Sequence, residues 1–180
     1  MFIILEGIDG AGKSIIRKVL TDFYVNLKFL DLKEGYEKIK KKDLNVKKDF
    51  FKANFLANRN EMIIVDRFHL SEIVYSKTLR DTNVNIEEFE KEVFGSDIKN
   101  VVTILIDAHE EVAQERIIKR DGKKYEQNLH LERKLFKDTE RNSVIPTKYM
   151  IYNDDLKKVT DSVKEFIEHV CGISGKVLKK

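Results

Sequence analysis

Gly7-Ile8-Asp9-Gly10-Ala11-Gly12-Lys13-Ser14 satisfies the pattern G-x-x-x-x-G-K-[ST] at every fixed position. Each position has a physical reason. Glycines let the backbone wrap closely around phosphate oxygens, and successive amide N–H groups then point inward as donors. A helix starting near Lys13 adds its positive N-terminal end. The lysine is placed for the β- and γ-phosphates of a nucleoside triphosphate, and the serine hydroxyl for Mg²⁺. The context fits as well. An apolar run at 2–5 precedes the loop, and 14–25 follows with Ile15, Ile16, Val19, Leu20 and Phe23 on one helical face. Gly7, Asp9, Gly10, Ala11, Gly12, Lys13 and Ser14 are therefore the expected contacts to ATP, with Ser14 also a magnesium ligand.

Outward from the loop, four more apolar runs lie at 27–32, 62–65, 101–106 and 148–152, separated by charged segments with helical spacing. Several are almost continuously apolar, as expected of strands covered on both faces. Strands alternating with helices predict parallel pairing through right-handed crossovers, hence a three-layer α/β sandwich. Residues 155–170 repeat the amphipathic pattern of 14–25. Residues 36–60 predict one or two helices behind a lysine-rich opening. Residues 81–99 predict a short helix capped by Asn85 on an exposed excursion. Pro146 marks the stop between a helix ending near Arg141 and the last strand.

At 180 residues, one domain is expected, and motors and helicases generally need far more chain. A guanine-reading N-K-x-D segment is absent from the sequence, which argues against a GTPase. The balance of 34 Lys+Arg against 31 Asp+Glu is too even to mark the whole chain as a nucleic-acid binder. A single cysteine, Cys171, excludes an intrachain disulfide and reads as a packed helix-end residue. No apolar run approaches the roughly 20 residues needed to cross a bilayer, so no membrane partner is expected. Met1 opens directly into an apolar strand without the basic stretch of a signal peptide, and a soluble cytoplasmic protein is expected.

The wording from Phe2 to Ser14, with Glu6-Gly7 before the loop, resembles the opening of thymidylate kinases and is similar to the related deoxynucleoside kinases. Asp66-Arg67-Phe68 after the third strand looks like that family's Asp-Arg-Tyr/Phe motif. Ser71, Tyr75 and Ser76 stand in register with its next helix, where the last position is usually glutamine. Glu115-Arg116-Ile117-Ile118-Lys119-Arg120 resembles its arginine-bearing lid, and Tyr152-Asn153-Asp154-Asp155 its closing segment. The resemblance implies a P-loop NTPase fold with a five-stranded parallel sheet in order 2-3-1-4-5, a lid at about 116–127, and a homodimer. Departures accompany it. Lys33-Glu34-Gly35-Tyr36 stands where the family carries Arg-Glu-Pro-Gly-Gly. Phe55 and Arg59 crowd against the third strand, and Asp121-Gly122-Lys123-Lys124 follows the lid arginines.

Glu34, Asp66 and Arg67 fall at or just beyond strand ends, where ligands bind in open α/β sheets. Asp66 is the expected organiser of Mg²⁺, and Arg67 suits bidentate grip on the acceptor phosphate or the moving phosphoryl group. Glu34 would deprotonate a nucleoside hydroxyl, or position magnesium or sugar if the acceptor is a monophosphate, with Lys33 near the acceptor phosphate. Arg116 and Arg120 share a helical face and would swing over ATP. The resemblance adds Phe68, Ser71 and Tyr75 as acceptor contacts. Phe51 and Phe55 are candidates to line a base pocket, with core the preferred reading. The four histidines show no metal-ligand spacing, and the cluster Lys38, Lys40, Lys41, Lys42, Lys47 and Lys48 reads as a solvated helix face.

The leading expectation is transfer of the ATP γ-phosphate to a (deoxy)nucleoside monophosphate, thymidylate or another deoxynucleotide. The rivals are a deoxynucleoside kinase, a non-catalytic P-loop ATP-binding module, and a polynucleotide-end kinase that rests on the lysine cluster alone.

Overall fold

The computed structural model describes residues 1–23, 27–33, 35, 44–80 and 84–171. Five parallel strands build one sheet: β1 (Phe2–Glu6), β2 (Lys28–Leu30), β3 (Ile63–Asp66), β4 (Val101–Asp107) and β5 (Thr147–Tyr152). Their order is β2-β3-β1-β4-β5, the predicted one. Ile4 pairs with Val65 on one side and Thr103 on the other. Strands β1 and β4 are buried along their whole length, which is why their sequences run apolar rather than alternating. Only three residues of the run 27–32 join the ladder, although Leu27 and Leu32 are buried at its ends.

The helices are α1 (Lys13–Phe23), α2 (Leu44–Asn58), α3 (His69–Arg80), α4 (Ile86–Phe94), α5 (Glu110–Asp121), α6 (Leu129–Asn142) and α7 (Leu156–Cys171), with a 3-10 turn at Gly95–Asn100. They flank the sheet in groups: α1 packs on α7, while α2 packs on α4 and α3 on α6. Phe2 of β1 meets the rings of Phe55 and Phe68, centroids 5.3 and 5.5 Å away, and anchors an aromatic core beneath the second group. Among the described residues, no helix is long and apolar enough to cross a membrane.

Asn85 caps α4 as expected, accepting from the Glu88 amide at 3.2 Å. The expectation of an exposed excursion fails, however. Ile86, Phe89, Glu90, Val93 and Phe94 are all buried, because their spacing makes one continuous stripe that α2 and α3 cover. Glu90 tolerates burial by accepting from Ser143 Oγ at 2.6 Å and the Val144 amide at 2.7 Å, with His69 Nε2 at 2.7 Å.

Candidate active site

Strand β1 sits between β3 and β4, at the point where the strand order reverses, so the loop after it opens into the crevice at the carboxyl end of the sheet. The helix it feeds begins with Gly12 O accepting from the Ile15 and Ile16 amides. Gly10 holds φ +74°, and a Cβ there would stand 2.3 Å from the Ala113 carbonyl oxygen of α5. Gly10→Ala therefore combines a left-handed backbone with a backbone collision, a cost of about 1–3 kcal/mol before the clash is counted. The expected result is loss of detectable ATP·Mg²⁺ binding by calorimetry in a protein that still folds. Undiminished affinity would remove the loop from the site.

Asn153, just beyond β5, straps the loop from below. Its Nδ2 donates to the Ala11 carbonyl at 2.6 Å, and its own amide donates to Asp107 O at 2.7 Å. Lys13 is buried, with Nζ donating to the carbonyls of Gly7 at 3.0 Å and Ile8 at 2.8 Å. Burial pushes its pKa down to about 7, with Arg67 adding to the effect and Asp66, Asp9 and Glu6 opposing it.

Glu6 ends β1 as a fully buried carboxylate. Oε1 accepts from the amides of Phe68 and Leu70, each at 3.0 Å; Oε2 accepts from the Ser71 amide at 3.2 Å and from the Ser71 hydroxyl. A side chain from one strand end thus caps the helix that follows another, and it fixes the turn holding Arg67. Arg67 has φ +65°, the one non-glycine residue with positive φ among those described. Its NH1 donates to Gly7 O at 2.9 Å, Ser71 Oγ at 3.2 Å and Tyr75 OH at 2.9 Å, while NH2 stands 3.8 Å from Asp9. Asp66 Oδ1 is buried without a hydrogen-bond partner.

Of these groups, Gly10, Lys13, Asp66, Arg67 and Ser71 line a cleft of about 690 Å³. One wall is the α3 face of Ser71, Glu72 and Tyr75, spaced as neighbours on a helix, with Phe68 just before it; Phe51 of α2 joins it. Burial pushes the Tyr75 hydroxyl up to about 12, against the nearby Arg67 charge, so it stays protonated beside Arg67. Opposite stand Phe29, Asp31, Leu32 and Lys33 from the end of β2, with Arg17 of α1 4.2 Å over the Phe29 ring. Ser14 lies exposed at the start of α1. From α5, Arg116 NH1 approaches Gly10 O at 3.4 Å, and Arg120 forks onto Asp9 and Asp121, each at 2.7 Å from NH2. Burial works to raise the Asp9 carboxyl, but Arg120, Arg67 and Lys13 hold it below the ordinary carboxylate range.

The structure thus brings together Asp9, Gly10, Gly12, Lys13, Ser14, Lys33, Asp66, Arg67, Phe68, Ser71, Tyr75, Arg116 and Arg120 in one cleft. Gly7 and Ala11 serve it from behind, through their carbonyl contacts to Lys13, Arg67 and Asn153. Glu34 lies outside the described residues, as do Lys38, Lys40, Lys41 and Lys42, and so does the side chain of Cys171. Phe55 is core, whereas Phe51 is both buried and part of the cleft wall. Arg59 is a turn residue paired with Asp97. The solvated reading of the lysine cluster fails at Lys47, which is buried with its Nζ 2.8 and 3.0 Å from the Glu72 carboxylate oxygens. Arg17 and Glu72 were not singled out in the sequence, and Glu6 and Asn153 entered only within the resemblance, without a role. For Glu6 the available signal was a charged residue closing an otherwise apolar strand.

Solved structures share this architecture. The YorR protein of Bacillus subtilis, in complex with phosphorylated GDP, matches with TM-score 0.68 at 17% identity, covering 97% of this chain and 100% of that one. Thymidylate kinase from Ehrlichia chaffeensis matches with TM-score 0.60 at 19% identity, over 93% and 98%. A sugar kinase from a Janibacter species matches with TM-score 0.55 at 14% identity, over 96% and 95%. No family model matches the chain, and no curated protein sequence does. The protein has a P-loop NTPase-like fold. It shares that fold at low sequence identity with these solved structures, the thymidylate kinase among them.

Proposed function

We propose that the protein is a phosphotransferase that moves the γ-phosphate of ATP onto a (deoxy)nucleoside monophosphate by direct in-line transfer. The observation that carries this reading is the placement of Arg67. Its guanidinium is held at the mouth of the phosphate loop by Gly7 O, Ser71 and Tyr75, in a backbone conformation that non-glycine residues adopt only under constraint. A loop that merely binds ATP has no need of a second cation built in this way.

In this reading the loop amides and Lys13 hold the ATP phosphates, and Arg67 grips the acceptor phosphate and neutralises charge as the phosphoryl group moves. Phe68, Ser71, Tyr75 and Lys33 position the acceptor, and the sequence adds Glu34 to this set. Arg116 and Arg120 form part of a lid at about 116–127 that closes over ATP once Arg120 leaves Asp9. The Asp66 Oδ1 atom and the Ser14 hydroxyl fit a hard divalent cation, being oxygen donors in one cleft. Magnesium held there would neutralise charge on the β- and γ-phosphates. A monophosphate acceptor arrives ionised, so transfer to it asks no general base of the protein. The thymidylate kinase resemblance also supports a homodimer, which sedimentation checks.

The test is product analysis by ion-exchange chromatography, with ATP·Mg²⁺ and each common nucleoside and nucleoside monophosphate, beside a Lys13→Met control. A diphosphate made from a monophosphate is the expected product. A monophosphate made from a nucleoside would select the nucleoside-kinase alternative, and no transfer to any acceptor would overturn the kinase reading.

A further inference from the structure

Lys47 and Glu72 form an ion pair in which both side chains are about 95% or more buried, at 5% and 3% exposure. Taking two charges out of water is costly, and an apolar pair of similar volume often packs as well or better. Packing alone therefore gives no reason for this pair. Its position suggests one. Lys47 and Phe51 are four residues apart on α2, and Glu72, in the first turn of α3, lies four residues after Phe68, which immediately precedes that helix. The two helices meet through an aromatic contact, Phe51 to Phe68 at 4.3 Å between centroids, and one turn further through the ion pair. Phe51, Phe68 and Glu72 all line the cleft. Pockets for small molecules are mostly apolar with a few fixed polar groups that set orientation, which is the composition here.

We infer that Glu72, held in place by Lys47, accepts a hydrogen bond from the base of the acceptor, and that the acceptor is a nucleoside monophosphate whose base carries an exocyclic amino group. The inference rests on the kinase reading above and narrows its substrate class. A carboxylate only accepts hydrogen bonds. Lys47 donates to both of its oxygens and the Ser76 hydroxyl donates to Oε1 at 3.2 Å, so the group is held stationary. Adenine, guanine and cytosine bring an –NH₂ group to such a carboxylate. Thymine and uracil bring carbonyl oxygens on both sides of their single ring N–H, and these repel it. The Phe51 and Phe68 rings supply a face for any base, so the discrimination falls to Glu72.

The experiment measures binding by calorimetry together with transfer rates, for AMP, GMP, CMP, UMP and dTMP, on the wild-type protein. GMP is compared with IMP, which lacks the amino group, so that no protein variant is needed. The expected result is at least one amino-bearing monophosphate bound about 10-fold or more tighter than dTMP and UMP, with a similar loss on deleting its amino group. The charge-neutral double variant Glu72→Gln with Lys47→Met should bring these ratios to within about 3-fold, through KM rather than kcat. Tighter binding of dTMP, equal binding of all bases, or ratios unchanged in a folded double variant would overturn the inference. Amino-dependent binding without transfer would leave it standing and overturn the kinase reading. Transfer without base preference would do the reverse, and absence of binding to any monophosphate would overturn both.

Discussion

Lys13→Met is expected to lower phosphoryl transfer by on the order of 10³-fold, the scale seen when one preorganised electrostatic contact to a transition state is removed. The same change should raise the melting temperature of the nucleotide-free protein at pH 7. The two effects share a cause. Burial holds the Lys13 amine near pKa 7, against 10.5 in the unfolded chain. Between those values the unfolded state binds more protons than the folded one, so stability rises with pH across that window. The penalty of burying the ammonium is fully present below pH 7 and gone above about 10.5. Methionine removes it, so the difference in melting temperature should shrink as pH climbs from 7 towards 10.

A polyphosphate reverses the balance, because its negative charge favours the ammonium form. ATP binding at pH 8 should therefore take up a proton. Calorimetry in buffers of different ionisation enthalpy reads this uptake directly, and it should be absent in Lys13→Met. Proton uptake that persists in the variant would place the titrating group elsewhere. The gain in stability with loss of function is the usual sign of a residue placed for chemistry rather than for folding.

What the sequence disclosed was local. The phosphate loop, the buried strands and the Asn85 cap each depend on residues within one turn or one strand of each other, so spacing reveals them. Asp66-Arg67 was legible in place, as a polar pair closing an apolar run, while its reading as a site came from the family resemblance. The hidden parts are those whose partners lie far along the chain. Glu6 caps amides 62 to 65 residues away, and Asn153 reaches Ala11 across 142. Lys47 looked like one charge in a solvated run, and only Glu72, 25 residues on, draws it inside. The stripe of α4 was visible as a pattern, but its depth depends on α2 and α3 lying over it. These long-range polar contacts build the cleft, whereas the local patterns build the sheet beneath it.

Arg67→Lys is expected to lower kcat by about 10² to 10³-fold while leaving the fold intact. A lysine keeps the charge. It cannot keep the geometry, because NH1 alone reaches Gly7 O, Ser71 Oγ and Tyr75 OH, leaving the rest of the fork for the phosphate contact proposed above. The backbone supplies a second, separable test. With φ at +65°, any side chain at this position carries strain of about 1–2 kcal/mol that glycine does not. Arg67→Gly and Arg67→Ala should therefore be equally inactive, yet the glycine variant should melt at the higher temperature. Equal melting temperatures would mean that the turn relaxes once the guanidinium is gone, and that Glu6 alone does not hold it. Wild-type turnover in Arg67→Ala would make the residue a structural brace between the loop and α3. The expected pattern instead has the turn held by Glu6, whatever side chain stands at 67, with the arginine placed by it for the phosphate.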